Sequence, residues 1–215
     1  MNIQELTFET LHAIPFICGP INNNTYALID EESKDCVVID PSFAFDRVLK
    51  RLQELGYSPR EYWLTHAHYD HIIGTAYPAS LESGIKAHLH PLDEILYEET
   101  IRMRNPYFSF VKDCPRPELD LTDNGVLHVG KYQFETFLTP GHAPGHCCFY
   151  CKEAGWLFSG DLVFYHSYGR TDLTGGNEAA LMKSIRKRVL TLPDDTLIMP
   201  GHEEFTQVRA ERIFY

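Results

Sequence analysis

At 215 residues, with 44% hydrophobic and 23% charged residues, the chain has the size and composition of one layered α/β globular protein. Its formal net charge of −11 argues against a nucleic-acid partner, because such binding rests on neutralising phosphates. No window approaches the ~20 apolar residues of a membrane-spanning helix, and residues 1–5 lack the basic-then-apolar pattern of a secretion signal. The cytoplasm is therefore the expected location, with no membrane partner.

In chain order, residues 25–30, with Tyr26, and 36–40 are runs holding β-branched residues, separated by a charged turn, and both are expected strands. Val48, Leu49, Leu52 and Leu55 predict a helix over 46–55 that Gly56 stops. A strand at 61–65 runs into a histidine cluster. Leu92, Ile95, Leu96 and Ile101 predict a helix over 91–103. Residues 105–121, with Pro106, Pro115 and Pro117, read as a long loop or flap. Its aromatics Tyr107, Phe108 and Phe110 are read as loop anchors rather than as a wall over the site. The second half repeats the style, with strands at 132–138, 147–151, 156–159 and 196–199, a helix at 178–190 and a short terminal helix. No linker or repeat is visible, so one domain is expected over residues 1–215.

Six cysteines (Cys18, Cys36, Cys114, Cys147, Cys148 and Cys151) do not have the spacing of a disulfide framework. Strand alternation puts Cys147, Phe149 and Cys151 on one face and Cys148 and Tyr150 on the other, as small core residues. Free thiols in this number fit a reducing compartment. The basic cluster Lys183, Arg186, Lys187 and Arg188 reads as a solvated helix face.

The strongest chemical signal is Thr65-His66-Ala67-His68-Tyr69-Asp70-His71. Imidazole and carboxylate are common zinc ligands and poor core residues, so this density is hard to explain by packing. In an extended turn His66 and His68 point the same way and can grip one ion, while Asp70 and His71 fall on the next turn and can grip a second. Three further segments follow strand-like runs. In Pro140-Gly141-His142-Ala143-Pro144-Gly145-His146, Gly141 and Gly145 permit positive φ, which lets a tight turn aim a side chain inward. Ser159-Gly160-Asp161 and Pro200-Gly201-His202 each put a ligand type at a strand end.

This H-x-H-x-D-H motif with downstream His142, Asp161 and His202 resembles the metallo-β-lactamase superfamily over nearly the whole chain. The resemblance implies an α/β fold, a four-layer αββα sandwich with the site at one edge of its two sheets. It implies one metal on His66, His68 and His142 and another on Asp70, His71 and His202. Asp161 would bridge them, with water or hydroxide as the second bridge. Two zinc ions are the expected cofactors, and iron or manganese would suit the same donors. The bridging hydroxide would attack an acyl carbon, with Asp161 and Asp70 as catalytic residues and Asp70 orienting the nucleophile. His146 is expected to support a ligand or the turn from behind.

Gly169-Arg170-Thr171-Asp172 looks like the G-R-T-D segment of glyoxalase II-like hydrolases and of persulfide dioxygenases. It makes Arg170 and Asp172 candidates to orient ligands, with an exposed loop ion pair as the competing reading. Tyr69 and His166 are candidates for the substrate pocket. His88 and His90 are expected to be exposed, and His12 and His128 are assigned no role. Only 13 residues follow His202, so the sequence looks like the short, single-domain glyoxalase II-like branch without the C-terminal helical domain that helps bind glutathione. The expected substrate is a small anionic thioester, S-D-lactoylglutathione or a related acyl thioester. The alternatives are a mononuclear iron persulfide dioxygenase using His66, His142 and Asp161, a lactonase or esterase of the same fold, and an inactive binding module. Antibiotic hydrolysis is not expected, since the common β-lactamase branches lack an aspartate at the Asp161 place.

Overall fold

The computed structural model describes residues 3–103 and 109–215. Tyr107 and Phe108 lie outside the described residues, and Phe110 is a loop anchor packed edge-on against Tyr77 at 5.3 Å between ring centroids.

The first half builds a six-stranded sheet in sequential order. Its strands are β1 (Leu6–Phe8), β2 (Leu11–Cys18), β3 (Asn23–Asp30), β4 (Cys36–Ile39), β5 (Glu61–Trp63) and β6 (Lys86–His88). The first four are antiparallel, while β4, β5 and β6 are parallel. Parallel neighbours need a crossover. Helix α1 (Phe45–Glu54) supplies the first; α2 (Tyr69–Ile72) and α3 (Pro78–Ser83) supply the second. Helix α4 (Glu94–Ile101) leads into the second half.

There β7 (Val126–Val129), β8 (Tyr132–Leu138), β9 (Cys147–Cys151) and β10 (Trp156–Gly160) form an antiparallel run. A small hairpin of β11 (Val163–Phe164) and β12 (Ser167–Tyr168) follows, then α5 (Glu178–Ser184). Strand β13 (Leu197–Pro200) returns parallel to β10, β14 (Thr206–Gln207) forms the edge, and α6 (Val208–Glu211) follows it.

Alternation along the strands sorts side chains into three cores and so four layers. Tyr26, Leu28, Val37, Ile39, Trp63, Phe149 and Phe158 fill the space between the sheets. Their neighbours Ala27, Ile29, Cys36 and Val38 face outward and pack under α1, α2, α3 and α4 with Phe45, Val48, Leu52 and Ile72. On the other flank Cys148, Tyr150, Leu157 and Ile198 meet Leu181 of α5. Cys147 and Cys151 share the inter-sheet core with Phe149, as the alternation predicts, and all six cysteines are free and buried.

Three readings change. Strand β2 gave no sequence signal because Pro15 interrupts it. Proline lacks a ladder donor and is tolerated where a strand has a free edge; β1 covers only Leu11–Ala13 of β2, leaving the Pro15 stretch open on that side. The helix expected over 178–190 ends its regular α part at Ser184 and continues as a π-helical turn, Ile185–Val189. His90 is buried rather than exposed; its Nδ1 accepts from Leu92 N–H at 3.2 Å, in the turn leading into α4. Half-buried His88 pairs with Asp120 at 3.0 Å. Part of the basic cluster is also tied down: Arg186 donates to the Tyr215 carbonyl at 3.0 Å, and Arg188 pairs with Asp123 and lies over the Phe137 ring. Among the described residues, no helix is long and apolar enough to cross a membrane.

Candidate metal centre

Every predicted ligand segment emerges at one edge of the sandwich. His66 follows β5, His142 lies between β8 and β9, Asp161 follows β10, His202 follows β13, and α2 carries Asp70 and His71. Hydrogen bonds draw the two sheets together there: Cys147 N–H to the Thr65 carbonyl at 2.8 Å, Asn24 N–H to Gly201 at 2.6 Å, and the Tyr26 hydroxyl to Pro200 at 2.6 Å. Gly201 has no room for a side chain, since a Cβ there would sit 2.4 Å from Asp161 Oδ1 and 2.8 Å from His71 Cε1. Gly141 uses that freedom, at φ +145°, whereas Gly145 does not need it; it is small because Asp93 presses against it.

The donors form three overlapping sets: His66 with His68 and His142; His66 with His71 and Asp161; and Asp70 with His71 and His202. In the first, His142 Nε2 lies 3.2 Å from His66 Nε2 and 2.8 Å from His68 Nδ1. In the last, Asp70 Oδ2 lies 3.3 Å from His71 Nε2 and 3.2 Å from His202 Nε2. Asp161 stands between them, with Oδ1 3.4 Å from His71 Nε2 and Oδ2 3.4 Å from His142 Nε2. Four ligands at zinc–nitrogen distances of ~2.0–2.1 Å in a tetrahedron are separated by ~3.3 Å, so these spacings suit a shared ion.

Proton accounting gives an independent test of fit. The Thr65 hydroxyl donates to Asp40 Oδ2 at 2.7 Å and so accepts from His66 Nδ1 at 3.0 Å. His71 Nδ1 donates to Asp40 Oδ2 at 2.8 Å, His142 Nδ1 to the Arg170 carbonyl at 2.8 Å, and His202 Nδ1 to the Ile21 carbonyl at 3.2 Å. A neutral imidazole carries one N–H. His66 and His142, which burial keeps neutral, therefore each turn an Nε2 lone pair into the cluster, and His71 and His202 do so once they are neutral. The lone pairs of His66 and His142, 3.2 Å apart, repel unless a cation lies between them. Asp161 Oδ1 is buried without a hydrogen-bond partner among the described residues, a further sign that its partner is a metal. The residues fit a metal centre.

The two ends of the cluster differ electrostatically. Burial and then the neighbouring His142 push His68 down to about 4, and burial likewise lowers His66 and His142. Burial alone would lower His71, but Asp70, Asp161 and Asp40 together hold it well above the usual imidazole range. Burial opposes ionisation of Asp70 and Asp161, yet His71 keeps both carboxyls below the ordinary carboxylate range.

The remaining candidates fall unevenly. His146 spends both ring nitrogens on the protein: Nε2 accepts from Asp161 N–H at 3.1 Å, and Nδ1 meets the Thr139 hydroxyl at 2.9 Å. It holds the main chain beneath Asp161. Arg170 and Asp172 form an exposed two-pronged ion pair at 2.7 and 2.8 Å, so their side chains do not orient a ligand; the Arg170 carbonyl, on His142, does. Tyr69 lines the cavity beside the cluster, which is about 550 Å³. His166 does not reach it: its N–H donates to Glu211 at 3.1 Å and its ring stacks near Phe214 at 4.1 Å.

Sequence reasoning missed three buried polar residues. Asp40 accepts from His71, from Thr65 N–H at 2.8 Å and from the Thr65 hydroxyl. The only local hint was a carboxylate closing an apolar strand, the same pattern as Asp161. Asn23 Nδ2 reaches Asp70 Oδ2 at 3.3 Å and His71 Nε2 at 3.2 Å. Asp93 binds the main chain of two ligand loops.

Nitrogen and oxygen donors gathered at the edge of an αββα sandwich define a metalloprotein of the metallohydrolase type. The metallo-beta-lactamase superfamily profile matches residues 18–202, and the chain belongs to that superfamily. It is 34% identical to the probable metallo-hydrolase YqgX of Bacillus subtilis, over 90% of this chain and 91% of that one. It is 31% identical to hydroxyacylglutathione hydrolase GloC of Haemophilus influenzae, over 86% and 88% of the two chains. The human mitochondrial persulfide dioxygenase ETHE1 is 30% identical over 83% of this chain but only 63% of its own. Among solved structures, TTHA1623 in a di-iron-bound form is similar with a TM-score of 0.81 and 35% identity, covering 92% of this chain and 96% of that one. The BLEG-1 B3 metallo-beta-lactamase is similar with a TM-score of 0.77 and 31% identity, covering 93% and 95%.

Proposed function

We propose that the protein is a dinuclear metal-dependent hydrolase that cleaves a small acyl thioester, S-D-lactoylglutathione or a close analogue. The observation that carries this reading is the pair of donor sets, His66/His68/His142 and Asp70/His71/His202, with Asp161 facing both. Bound divalent ions, zinc or iron, supply hydroxide at neutral pH and polarise a carbonyl. The chain's own residues do the rest. Asp161 and Asp70 line the cavity with their carboxylates, and Asp70 is the residue to orient the attacking water. Hydrolysis forms a C–O bond at the acyl carbon and breaks the C–S bond, and the thiol leaves with a proton.

The cavity wall supports an acyl thioester. Ile21, Tyr69, Leu96, Met103 and Leu173 give it an apolar lining. The similarity to GloC supports a hydroxyacyl thioester, and six buried free thiols fit the reducing cytoplasm. The similarity to ETHE1 favours a second reading, a single iron on His66, His142 and Asp161. That reading leaves the convergence of Asp70, His71 and His202 without a purpose.

The test is elemental analysis of protein purified without added metal, with S-D-lactoylglutathione, a persulfide, a lactone and a β-lactam assayed on the same sample. The β-lactam belongs on the panel because BLEG-1 is similar. About two ions per chain with thioester cleavage is the expected result. One iron per chain with oxygen consumption on the persulfide and no thioester cleavage would overturn the reading.

A further inference from the structure

Helix α4 contributes no metal donor, yet it grips the loops that carry three of them. Asp93, the residue before α4, is fully buried, and its carboxylate accepts from two main-chain groups: Ala67 N–H on Oδ2 at 2.8 Å and Gly145 N–H on Oδ1 at 2.6 Å. Near the other end of the helix the Thr100 hydroxyl donates to the Ala67 carbonyl at 2.7 Å. Ala67 stands between His66 and His68, and Gly145 lies three residues beyond His142. Both main-chain polar groups of Ala67 thus end on α4 or the residue before it, and one carboxylate joins the two loops.

The joint is tight. A Cβ on Gly145 would lie 2.6 Å from the Asp93 nitrogen, so the loop comes this close only as glycine. Burying a carboxylate with no cation beside it is costly; burial pushes the Asp93 carboxyl up to about 6, against the two N–H groups that hold it down. The other donor set is held from elsewhere. Asp40 and Asn23 reach His71, Asn23 reaches Asp70, and the Ile21 carbonyl accepts from His202.

We propose that Asp93 and Thr100 are positioning residues that fix the spacing of His66, His68 and His142, so that this donor set is tuned separately from Asp70, His71 and His202. The inference rests on the dinuclear reading for its contrast between sites. Asp93→Asn keeps the size of the side chain but turns an NH₂ toward one of the two N–H groups. Thr100→Val is a gentler change that removes one donor.

The experiment is calorimetric titration of metal-stripped wild type, Asp93→Asn and Thr100→Val with zinc alone, with circular dichroism of each variant. Cobalt absorption spectra report the ligand geometry as a second readout. The expected result for Asp93→Asn is one binding event weakened about 10–100-fold, the usual range for a group that orients a ligand, and the other within about threefold. Thr100→Val should weaken the same event by less, and the cobalt spectrum should change in both. Equal weakening of both events, or two unchanged events in folded protein, would overturn the proposal. Should wild type show a single event, the dinuclear reading fails. The clamp then stands if Asp93→Asn weakens that event about tenfold or more, and falls if it is unchanged.

Discussion

Replacing Asp40 by Asn changes one atom type at the back of the cluster and should propagate to both metal sites. Asp40 accepts three hydrogen bonds, from Thr65 N–H, the Thr65 hydroxyl and His71 Nδ1. An Asn at this place has one accepting oxygen. If that oxygen keeps Thr65 N–H, the NH₂ faces both the Thr65 hydroxyl and His71 Nδ1, and neither can donate to it. Relief comes from moving protons. His71 takes the tautomer with N–H on Nε2, and the Thr65 hydroxyl turns to donate to His66 Nδ1, which puts the His66 proton on Nε2 as well. Both protons then occupy ligand positions. The expected loss is about 10–100-fold in metal affinity, or about 1.4–2.8 kcal/mol, at each site. The stripped protein should also lose about 1.5–3 kcal/mol of stability, because the charged acceptor of these bonds is gone. Competition with a chromophoric chelator gives the affinities, and urea unfolding of stripped protein gives the stability. Affinities within threefold of wild type at both sites would refute the tautomer argument. Loss at one site alone would show that His66 keeps its proton on Nδ1 by another route.

Three further outcomes are expected. His202→Ala removes the nitrogen 3.2 Å from Asp70 Oδ2. Elemental analysis should find one ion per chain instead of two, with thioester hydrolysis lowered more than about 100-fold, beyond the effect of losing a group that merely orients a ligand; full retention of metal would take His202 out of the centre. The second outcome concerns protons. Burial alone would lower His202, but its bond to Asp70 and the nearby Asp161 raise it, as the carboxylates raise His71. A proton on a raised imidazole must leave before a metal binds, so affinity at Asp70/His71/His202 should fall as pH drops below the raised values. The site with His68, itself pushed down to about 4, should be insensitive over the same range. Calorimetry in buffers of different ionisation enthalpy measures the protons released, and equal release at both sites would contradict the asymmetry. Third, burial raises the thiols, to about 12 at Cys36 and Cys148 and about 11 at Cys114 and Cys151, so the nucleophilic thiolate is scarce at pH 8. Ellman's reagent should label folded protein slowly and six thiols once it is unfolded; rapid labelling of several thiols in native protein would show that the core opens readily.

The sequence by itself determined the ligand motif and which strand residues share a face, because both are written in short-range spacing; the four layers were implied by the superfamily resemblance. His66, His68, Asp70 and His71 are neighbours in the chain, so their density was visible without a fold. Alternation along residues 147–151 assigned each side chain to its core because the strand period is two whatever the strand packs against. The downstream ligands were legible as polar residues closing apolar runs, and the superfamily resemblance joined them.

What holds the ligands came only from the tertiary structure. Asp40 meets Thr65 across 25 positions and Asp93 meets Gly145 across 52; the apolar strand before Asp40 marks it as a strand-end carboxylate but does not say what it meets, and nothing local distinguishes Asp93 from an ordinary turn aspartate. The same limit explains His90, buried by what packs over it, and His166, whose ring turned toward Phe214 instead of the cavity. Arg170 shows the limit most clearly: the residue does serve the centre, through a main-chain carbonyl that any amino acid would supply, while its side chain pairs with Asp172 in solvent. Side-chain chemistry can be read from a sequence, but the direction of a backbone carbonyl is decided only when distant segments pack together.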